Sequence, residues 1–306
     1  MRSWIQVGLL CALALAGAGC FETKQVITLN PDGSGKLVID SFVSTEMISM
    51  AAGMGGGKAP PDANTLPKKA AADMVAKSKG VDAWSDVTYE LAKDGRIHVA
   101  GTAFFPDYTK LKLEGPGGAE FKWTKDGKDM VLEVENKGMS PDGGAAGDAN
   151  AAPPPALSDK EVEDALTKKR QEWQMSKAMM GQLLGSLKLE TAFVLPGKVA
   201  EVSVLEKTDQ GVRMVMDGKK MLEAIDKVMA DDKIMKEAIK AGKDPTKSDA
   251  AVQAMQETMF GKKGPMRAKV SGDLKPLFDY KAEMGKAKAA QPAMMKTLGI
   301  EAPAEK

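Results

Sequence analysis

Three turn signals, each lying between runs of alternating apolar residues, constrain the fold of this chain of 306 residues most strongly. Asn-Pro-Asp-Gly-Ser-Gly at 30–35 separates two β-branched runs, and Asp-Gly pairs at 94–95 and 126–127 separate two further pairs of runs. Gly and Asp at such positions close antiparallel hairpins, and the Asp-Gly pairs favour the type I′ turn. The sequence therefore predicts three β-hairpins.

Apolar residues at helical spacing follow and interrupt these hairpins. Ser158, with Glu161 three residues later, forms the capping-box signature of a helix, whose apolar stripe begins at Val162. We expect α+β architecture, with a mainly antiparallel sheet built from hairpins and packed amphipathic helices. Further helices are predicted from Ser44 through Met54, from Thr65 to Ser78, from Met221 to Met235, from Ser248 to Phe260, and after a capping Asp273 over Leu277 and Phe278.

Composition divides the chain into five parts. Residues 138–156 are rich in Gly, Ala and Pro and predict a flexible linker or surface loop. The parts are a signal segment (1–19), a hairpin-rich α+β part (20–137), the linker (138–156), a helix-rich α+β part (157–290) and a loose C-terminal tail (291–306).

The first residues have the pattern of an export signal. Arg2 precedes an apolar run that is shorter than the roughly 20 residues of a spanning helix. The run ends in Ala16-Gly17-Ala18-Gly19 directly before Cys20, which resembles the bacterial lipobox, although Gly17 stands where that motif usually has Leu. Cleavage before an acylated Cys20, cleavage after Ala18, and an uncleaved anchor are the alternatives.

The cysteine count favours lipid attachment at Cys20. The chain has two cysteines, and Cys11 lies inside the segment that would be removed. The exported chain would keep Cys20 alone, so it could form no internal disulfide. Because Phe21, rather than Asp, follows Cys20, we expect the protein at the outer membrane facing the periplasm if the host is Gram-negative.

Charge and residue counts argue against several classes of function. The chain has 43 Lys and Arg against 42 Asp and Glu, and Arg2 is the one charged residue before Cys20, so the exported part is formally neutral. A nucleic-acid-binding protein would show a basic excess, so we expect no nucleic-acid partner.

His98 is the single histidine of the chain, and strand alternation places it on the face of Ala100, away from Ile97 and Val99. One histidine cannot build a zinc site with the available cysteines, and a catalytic triad would have to use it. We therefore expect no enzyme activity, no metal and no cofactor.

Methionine is frequent, with 21 residues in the chain. Because Met is flexible and polarizable, it can line an adaptable apolar site, but it equally fills ordinary cores. The candidate ligand-binding residues are Met179, Met180, Met214 and Met216.

Short motifs give the chain a family resemblance. A cysteine before an immediate Asn-Pro-Asp-Gly-Ser-Gly hairpin, then Leu195-Pro196-Gly197 and a strand led by Gly211, is similar to LppM-type bacterial lipoproteins. That resemblance implies a fold like helix-grip lipid-binding domains.

Two functions follow from these features. The first is a membrane-anchored envelope lipoprotein that binds a lipid or other amphiphile in an apolar pocket. The alternative is a structural or assembly lipoprotein that binds another envelope protein and has no small-molecule ligand.

Overall fold

The computed structural model describes residues 21–45, 62, 64–112, 119–136 and 157–300, and within them the chain forms eleven strands and six helices. The expected α+β class, with mainly antiparallel sheet, is confirmed. In chain order the elements are β1 (Phe21–Leu29), β2 (Gly35–Ser44), α1 (Leu66–Lys77), β3 (Ala83–Leu91), β4 (Arg96–Phe105), β5 (Ala119–Asp126), β6 (Asp129–Asn136), α2 (Asp159–Leu184), β7 (Lys188–Val194), β8 (Lys198–Ser203), β9 (Glu206–Thr208), β10 (Gly211–Asp217), α3 (Gly218–Ala230), α4 (Asp232–Lys240), α5 (Asp249–Phe260), β11 (Met266–Ser271) and α6 (Tyr280–Leu298).

The strands form two sheets that share one core. The seven-stranded sheet has the order β3-β4-β2-β1-β7-β10-β9, and the four-stranded sheet has the order β5-β6-β11-β8. Strands β1 and β7 run parallel, and the other paired strands run antiparallel. Leu37 and Phe193 of the larger sheet and Leu132 and Val270 of the smaller sheet belong to the same buried cluster. The core therefore lies between the sheets.

The predicted hairpins form, but the Asp-Gly turn between β3 and β4 differs from the type I′ expectation and instead resembles the turn between β1 and β2. In the loops between β1 and β2 and between β3 and β4, the amides of Gly33 and Gly95 donate to the carbonyls of Asn30 and Ala92. Each glycine has a positive φ (87° and 80°), whereas Asp94 does not. This is the three-residue connection in which a type I turn is followed by a left-handed glycine.

The chain passes from the four-stranded sheet to the seven-stranded sheet at Val204. The sequence run at 200–207 predicts a single strand, but β8 joins the four-stranded sheet and β9 joins the seven-stranded sheet. Between them, Val204 has a φ of 66°, and the Leu205 amide donates to the Ser203 carbonyl at 2.7 Å. A β-branched residue is strained in this region, and burial of Val204 and Leu205 in the core holds the turn in place.

Two helices pack on the sheets, and the other four pack mainly with one another. Helix α1 buries Leu66, Ala71 and Val75 in the core between the sheets, as the predicted helix at 65–78 requires. Helix α6 instead lies against the opposite side of β3 and β4, where Ala287 packs with Ala83 and Phe104. Helices α2 to α5 form two smaller apolar clusters of their own.

Three helix predictions need correction. The single helix predicted over Met221–Met235 is two helices, because Asp231 ends α3 in an extended conformation and its side chain accepts the Ile234 amide of α4. The last helix is capped by Asp279 rather than Asp273. The tail predicted as loose from residue 291 is helical to Leu298, since Met295 and Leu298 are buried. The helix predicted to begin at Ser44 lies almost wholly outside the described residues.

Candidate binding surface on the seven-stranded sheet

The four methionines that were predicted to bind a ligand do not line one cavity. Met214 is buried in the inter-sheet core, and Met216 is half-buried two residues later on the same strand. Met180 is half-buried on α2, while the side chain of Met179 is 52% exposed, one residue from the helix's buried stripe. Of the four, Met214 alone belongs to the main core.

Aromatic rings fill the space between the sheets. The centroid of the Tyr108 ring lies 5.5 Å from that of Phe105 and 6.0 Å from that of Phe193. The centroids of the Phe121 and Phe193 rings are 5.4 Å apart. Phe105, Tyr108 and Phe193 are buried, and burial raises the pKa of the Tyr108 hydroxyl well above its usual value. A ligand could enter this region only by displacing these rings.

A surface depression of about 460 Å³ lies along α2. Its lining residues are mostly polar by type, but the atoms that they turn toward it are mainly apolar. Arg170 is already engaged, since it donates to the carbonyls of Met229 and Ala230 at the end of α3 and pairs with Asp232 at 2.7 Å. This site is open and unsuited to enclosing an acyl chain. The lining residues are Thr167, Arg170, Gln171, Gln174 and Met175.

The seven-stranded sheet turns its other face, here called the outer face, away from the shared core. Alternation along β2 directs Leu37 and Ile39 into the core and Val38 and Asp40 outward. Helix α6 covers the part of the outer face around Phe104. The part of the outer face around Phe42 lies toward the Phe21 end, which is the end of the sheet at which β1 begins.

Near the Phe21 end, three side chains on the outer face form a stack. Phe42 of β2 pairs with His98 of β4, and their rings are parallel to within 10°, with centroids 4.3 Å apart. The guanidinium of Arg96 lies 4.6 Å from the centroid of the Phe42 ring. This Arg96-Phe42-His98 arrangement is called the aromatic stack below.

Carboxylates hold the aromatic stack at both ends. His98 Nε2 is 2.8 Å from Asp40 Oδ1, and His98 Nδ1 is 3.4 Å from Glu90 Oε1. Arg96 Nε donates to Asp94 Oδ2 at 2.8 Å, and Arg96 Nη1 is 3.4 Å from Glu22 Oε2.

The Arg96 backbone amide and guanidinium both donate to Asp94 and hold the pKa of that carboxyl below its usual value. Arg96 and His98 thus each meet two acidic residues, and the stack is fixed in position before any partner arrives.

This geometry fits a surface for recognition better than it fits a general base. Both ring nitrogens of His98 already face carboxylate oxygens, so neither is open to a nucleophile. Among the described residues, no group of acidic, histidine and cysteine side chains could hold a metal ion. Aromatic and arginine side chains on an exposed surface are instead typical of protein interfaces.

Strand alternation predicts the correct face for His98 but does not identify its partners. Ile97 and Val99 are buried while His98 is half-buried on the outer face, as alternation predicted. Phe42 and Asp40 lie on a strand more than fifty residues away, and no hairpin turn connects β2 with β4 to set their register. Within hairpin β3–β4, however, the position of the turn sets the register, so the pairing of Glu90 with His98 could have been predicted from the sequence.

Comparison with known proteins gives little further information. No family model and no curated protein matches the chain. Among solved structures, the chain is similar to the NMR structure of the folded domain of Mycobacterium tuberculosis LppM, with 11% sequence identity over 82% of this chain and 89% of that chain. The TM-score is 0.29, so this likeness to a lipoprotein domain carries no argument. The part of the chain that the structure describes contains no helix of the length and apolar character that crossing a bilayer requires.

Proposed function

We propose that this chain is an exported lipoprotein, anchored in a membrane through acylated Cys20, which binds another envelope protein through the outer face of its seven-stranded sheet. The observation that carries the binding function is the aromatic stack. It places a half-buried arginine and two half-buried rings, each held by neighbouring side chains, on the part of the sheet that α6 leaves uncovered.

The anchor is supported by sequence and by chain geometry. The predicted export signal ends directly before Cys20, which itself lies outside the described residues, and β1 begins at the next residue, Phe21. Acylation at that position would leave no spacer between the lipid and the sheet. The protein would therefore act at the membrane surface, and a partner would be another component of the same envelope.

A protein partner suits the outer face better than a lipid ligand does. Hot spots of protein interfaces are enriched in aromatic and arginine residues that are already ordered before binding. Val38, which is 42% exposed, adds apolar area two residues from Asp40. The alternative of a lipid pocket has less support, because rings fill the inter-sheet core and the candidate methionines are dispersed. We propose no catalytic activity, since the one histidine is held by carboxylates.

Photo-crosslinking in the native envelope tests this function. A photoreactive residue replaces Val38 in the acylated protein, and a second protein carries the same probe at Met175, which is 76% exposed on α2. We expect the Val38 probe to give one discrete protein adduct that the Met175 probe does not give. Phe42→Ala should abolish that adduct, whereas Phe42→Tyr, which retains a ring for stacking, should preserve it.

Two results would overturn the proposal. An adduct that survives Phe42→Ala would show that the aromatic stack does not take part in binding. Lipid adducts in place of a protein adduct would favour the amphiphile-binding alternative. Thermal unfolding of each variant serves as a control for folding.

A further inference from the structure

We infer that the Phe21 end of the seven-stranded sheet rests on an anionic phospholipid surface. This inference rests on the proposed acylation of Cys20, and it adds which residues of the folded chain meet the bilayer and which headgroups they favour.

Strand register defines the residues at this end. Glu22 of β1 pairs with Phe42 on one side and with Lys188 of β7 on the other, and Lys188 pairs with Asp217 of β10. Because Asp217 is the last residue of β10, helix α3 starts in the same row as the chain leaves the sheet. The turn between β3 and β4 and the first turn of α3 both project beyond this row.

The length of the tether fixes the distance to the lipid. Consecutive Cα atoms are about 3.8 Å apart, so an acylated Cys20 brings the first residue of β1 to the headgroup region. The ten residues of β4 run from this end to the opposite one, a span of about 30 Å at the usual strand rise. The two ends of the sheet therefore lie at clearly different depths relative to the bilayer.

Exposed side chains at the Phe21 end suit a lipid interface. Leu91, at the end of β3, is 43% exposed. Four exposed lysines lie at the same end, one in the turn beside Leu91 and three on the far side of β1, at the start of β7 and in the first turn of α3. None of them forms an ion pair with a carboxylate of the described residues. Lysines near a membrane surface are attracted to anionic headgroups. These lysines are Lys93, Lys188, Lys219 and Lys220.

Most acidic residues at this end already have partners within the protein. Glu22 and Asp94 both pair with Arg96, at 3.4 and 2.8 Å. Asp217 accepts hydrogen bonds from the backbone amides of Lys219 and Lys220 as the N-cap of α3. The unpaired charges at this end are therefore mainly positive.

Lys219 and Lys220 also lie at a helix position that disfavours positive charge. They occupy the first turn of α3, which contains no acidic residue. The positive end of a helix dipole disfavours cations there. Contact with anionic headgroups would offset this cost, because the phosphates would lie beyond the helix N-terminus.

Depth-dependent quenching tests the inference on the full acylated protein in phosphatidylglycerol-containing vesicles. A bimane fluorophore is attached to Lys93→Cys at the Phe21 end or, as a matched control, to Lys110→Cys, whose side chain is 74% exposed near the opposite end. Cys20 is blocked by acylation, and Cys11 is removed with the signal segment. Each variant therefore has one reactive thiol. With headgroup-spin-labelled lipid, we expect quenching at position 93 to exceed that at position 110 severalfold.

A second variant isolates the contribution of charge. Lys188, Lys219 and Lys220 are replaced together by Gln in the Lys93→Cys protein. Quenching at position 93 should then fall in phosphatidylglycerol vesicles, and it should stay unchanged in vesicles of phosphatidylcholine alone.

Equal quenching at positions 93 and 110 would overturn the inferred orientation, and an unchanged signal in the Gln variant would overturn the preference for anionic lipid. Intact mass, measured on the same samples, separates these outcomes from failure of the anchor. An acylated chain with equal quenching contradicts this inference alone, whereas an unacylated chain contradicts the proposed function.

Discussion

Asn30 connects three distant parts of the chain at the first hairpin turn. Its side-chain amide donates to Ser34 Oγ and to the Phe278 carbonyl, and its Oδ1 accepts the Leu277 amide at 2.9 Å. Its carbonyl accepts the indole N–H of Trp123 at 3.2 Å. The residue is buried, so these bonds are shielded from water. One asparagine thus joins the seven-stranded sheet, the four-stranded sheet and the segment before α6.

Replacing Asn30 by Ala should reduce the free energy of unfolding by about 2–4 kcal/mol, because it leaves buried backbone groups without partners. Urea denaturation followed by tryptophan fluorescence measures the change. Asn64 is exposed and, within the part of the chain that the structure describes, its side chain bonds only Asp62, so it is the matched control: Asn64→Ala should change stability by less than about 0.5 kcal/mol. Equal effects of the two substitutions would contradict the role assigned to Asn30.

Tyr280 makes the free energy of unfolding depend on pH in the alkaline range. Burial, together with the hydrogen bond that its hydroxyl donates to Asp82 Oδ2 at 2.9 Å, raises the pKa of Tyr280 above its usual value of 10.0. The folded state therefore keeps this proton to higher pH than the unfolded state, and the resulting stability is full below about pH 10 and is lost as the pH rises further.

We expect the free energy of unfolding to decline less steeply in Tyr280→Phe than in the parent protein between about pH 9 and about pH 11. Urea titrations at a series of pH values provide the comparison, and the lysines ionise equally in both proteins. Parallel curves would show that Tyr280 does not contribute to this dependence.

At the scale of elements, local capping decides where helices begin. Ser158 accepts the Glu161 amide, and Glu161 bonds the Ser158 amide in return, as the sequence predicted. Ser248 caps α5 in a similar way, and Gly261 ends that helix in the left-handed conformation. Asp231 separates α3 from α4 by the same chemistry, although the apolar spacing continues across it.

Asp231→Ala should therefore destabilise the protein by about 1 kcal/mol, because the first turn of α4 loses its side-chain acceptor. Asp231→Asn retains an acceptor and should remain close to the parent. Urea midpoints of the three proteins measure the difference. An Ala variant as stable as the Asn variant would show that the break between α3 and α4 has another cause.

The sequence predicts elements better than it predicts their pairing. Hairpin partners are joined by short turns, so β1–β2, β3–β4 and β5–β6 follow from local signals. The pairing of β1 with β7 joins Thr23 to Leu189, and no local rule sets that register. The candidate site depends on such distant pairing, since Phe42 and His98 meet only through β2 and β4. His98 could therefore be placed on a face, but the stack could not be predicted.

At the scale of the whole molecule, the two halves of the chain are combined in both sheets. Strand β1 of the first half pairs with β7 of the second, and β6 pairs with β11. The row that joins Glu22, Lys188 and Asp217 sets both the Phe21 end and the start of α3. Anchoring at Cys20 would thus position residues from both halves at the membrane.

The anchor at Cys20 is the central claim, and intact mass spectrometry of the protein purified in detergent from its native membrane tests it most directly. We predict a chain that starts at Cys20 and carries the added mass of a diacylglycerol thioether, and we predict that Cys20→Ala is not acylated. A chain that starts at Gly19 with a free thiol, or one that retains residues 1–19, would contradict the claim.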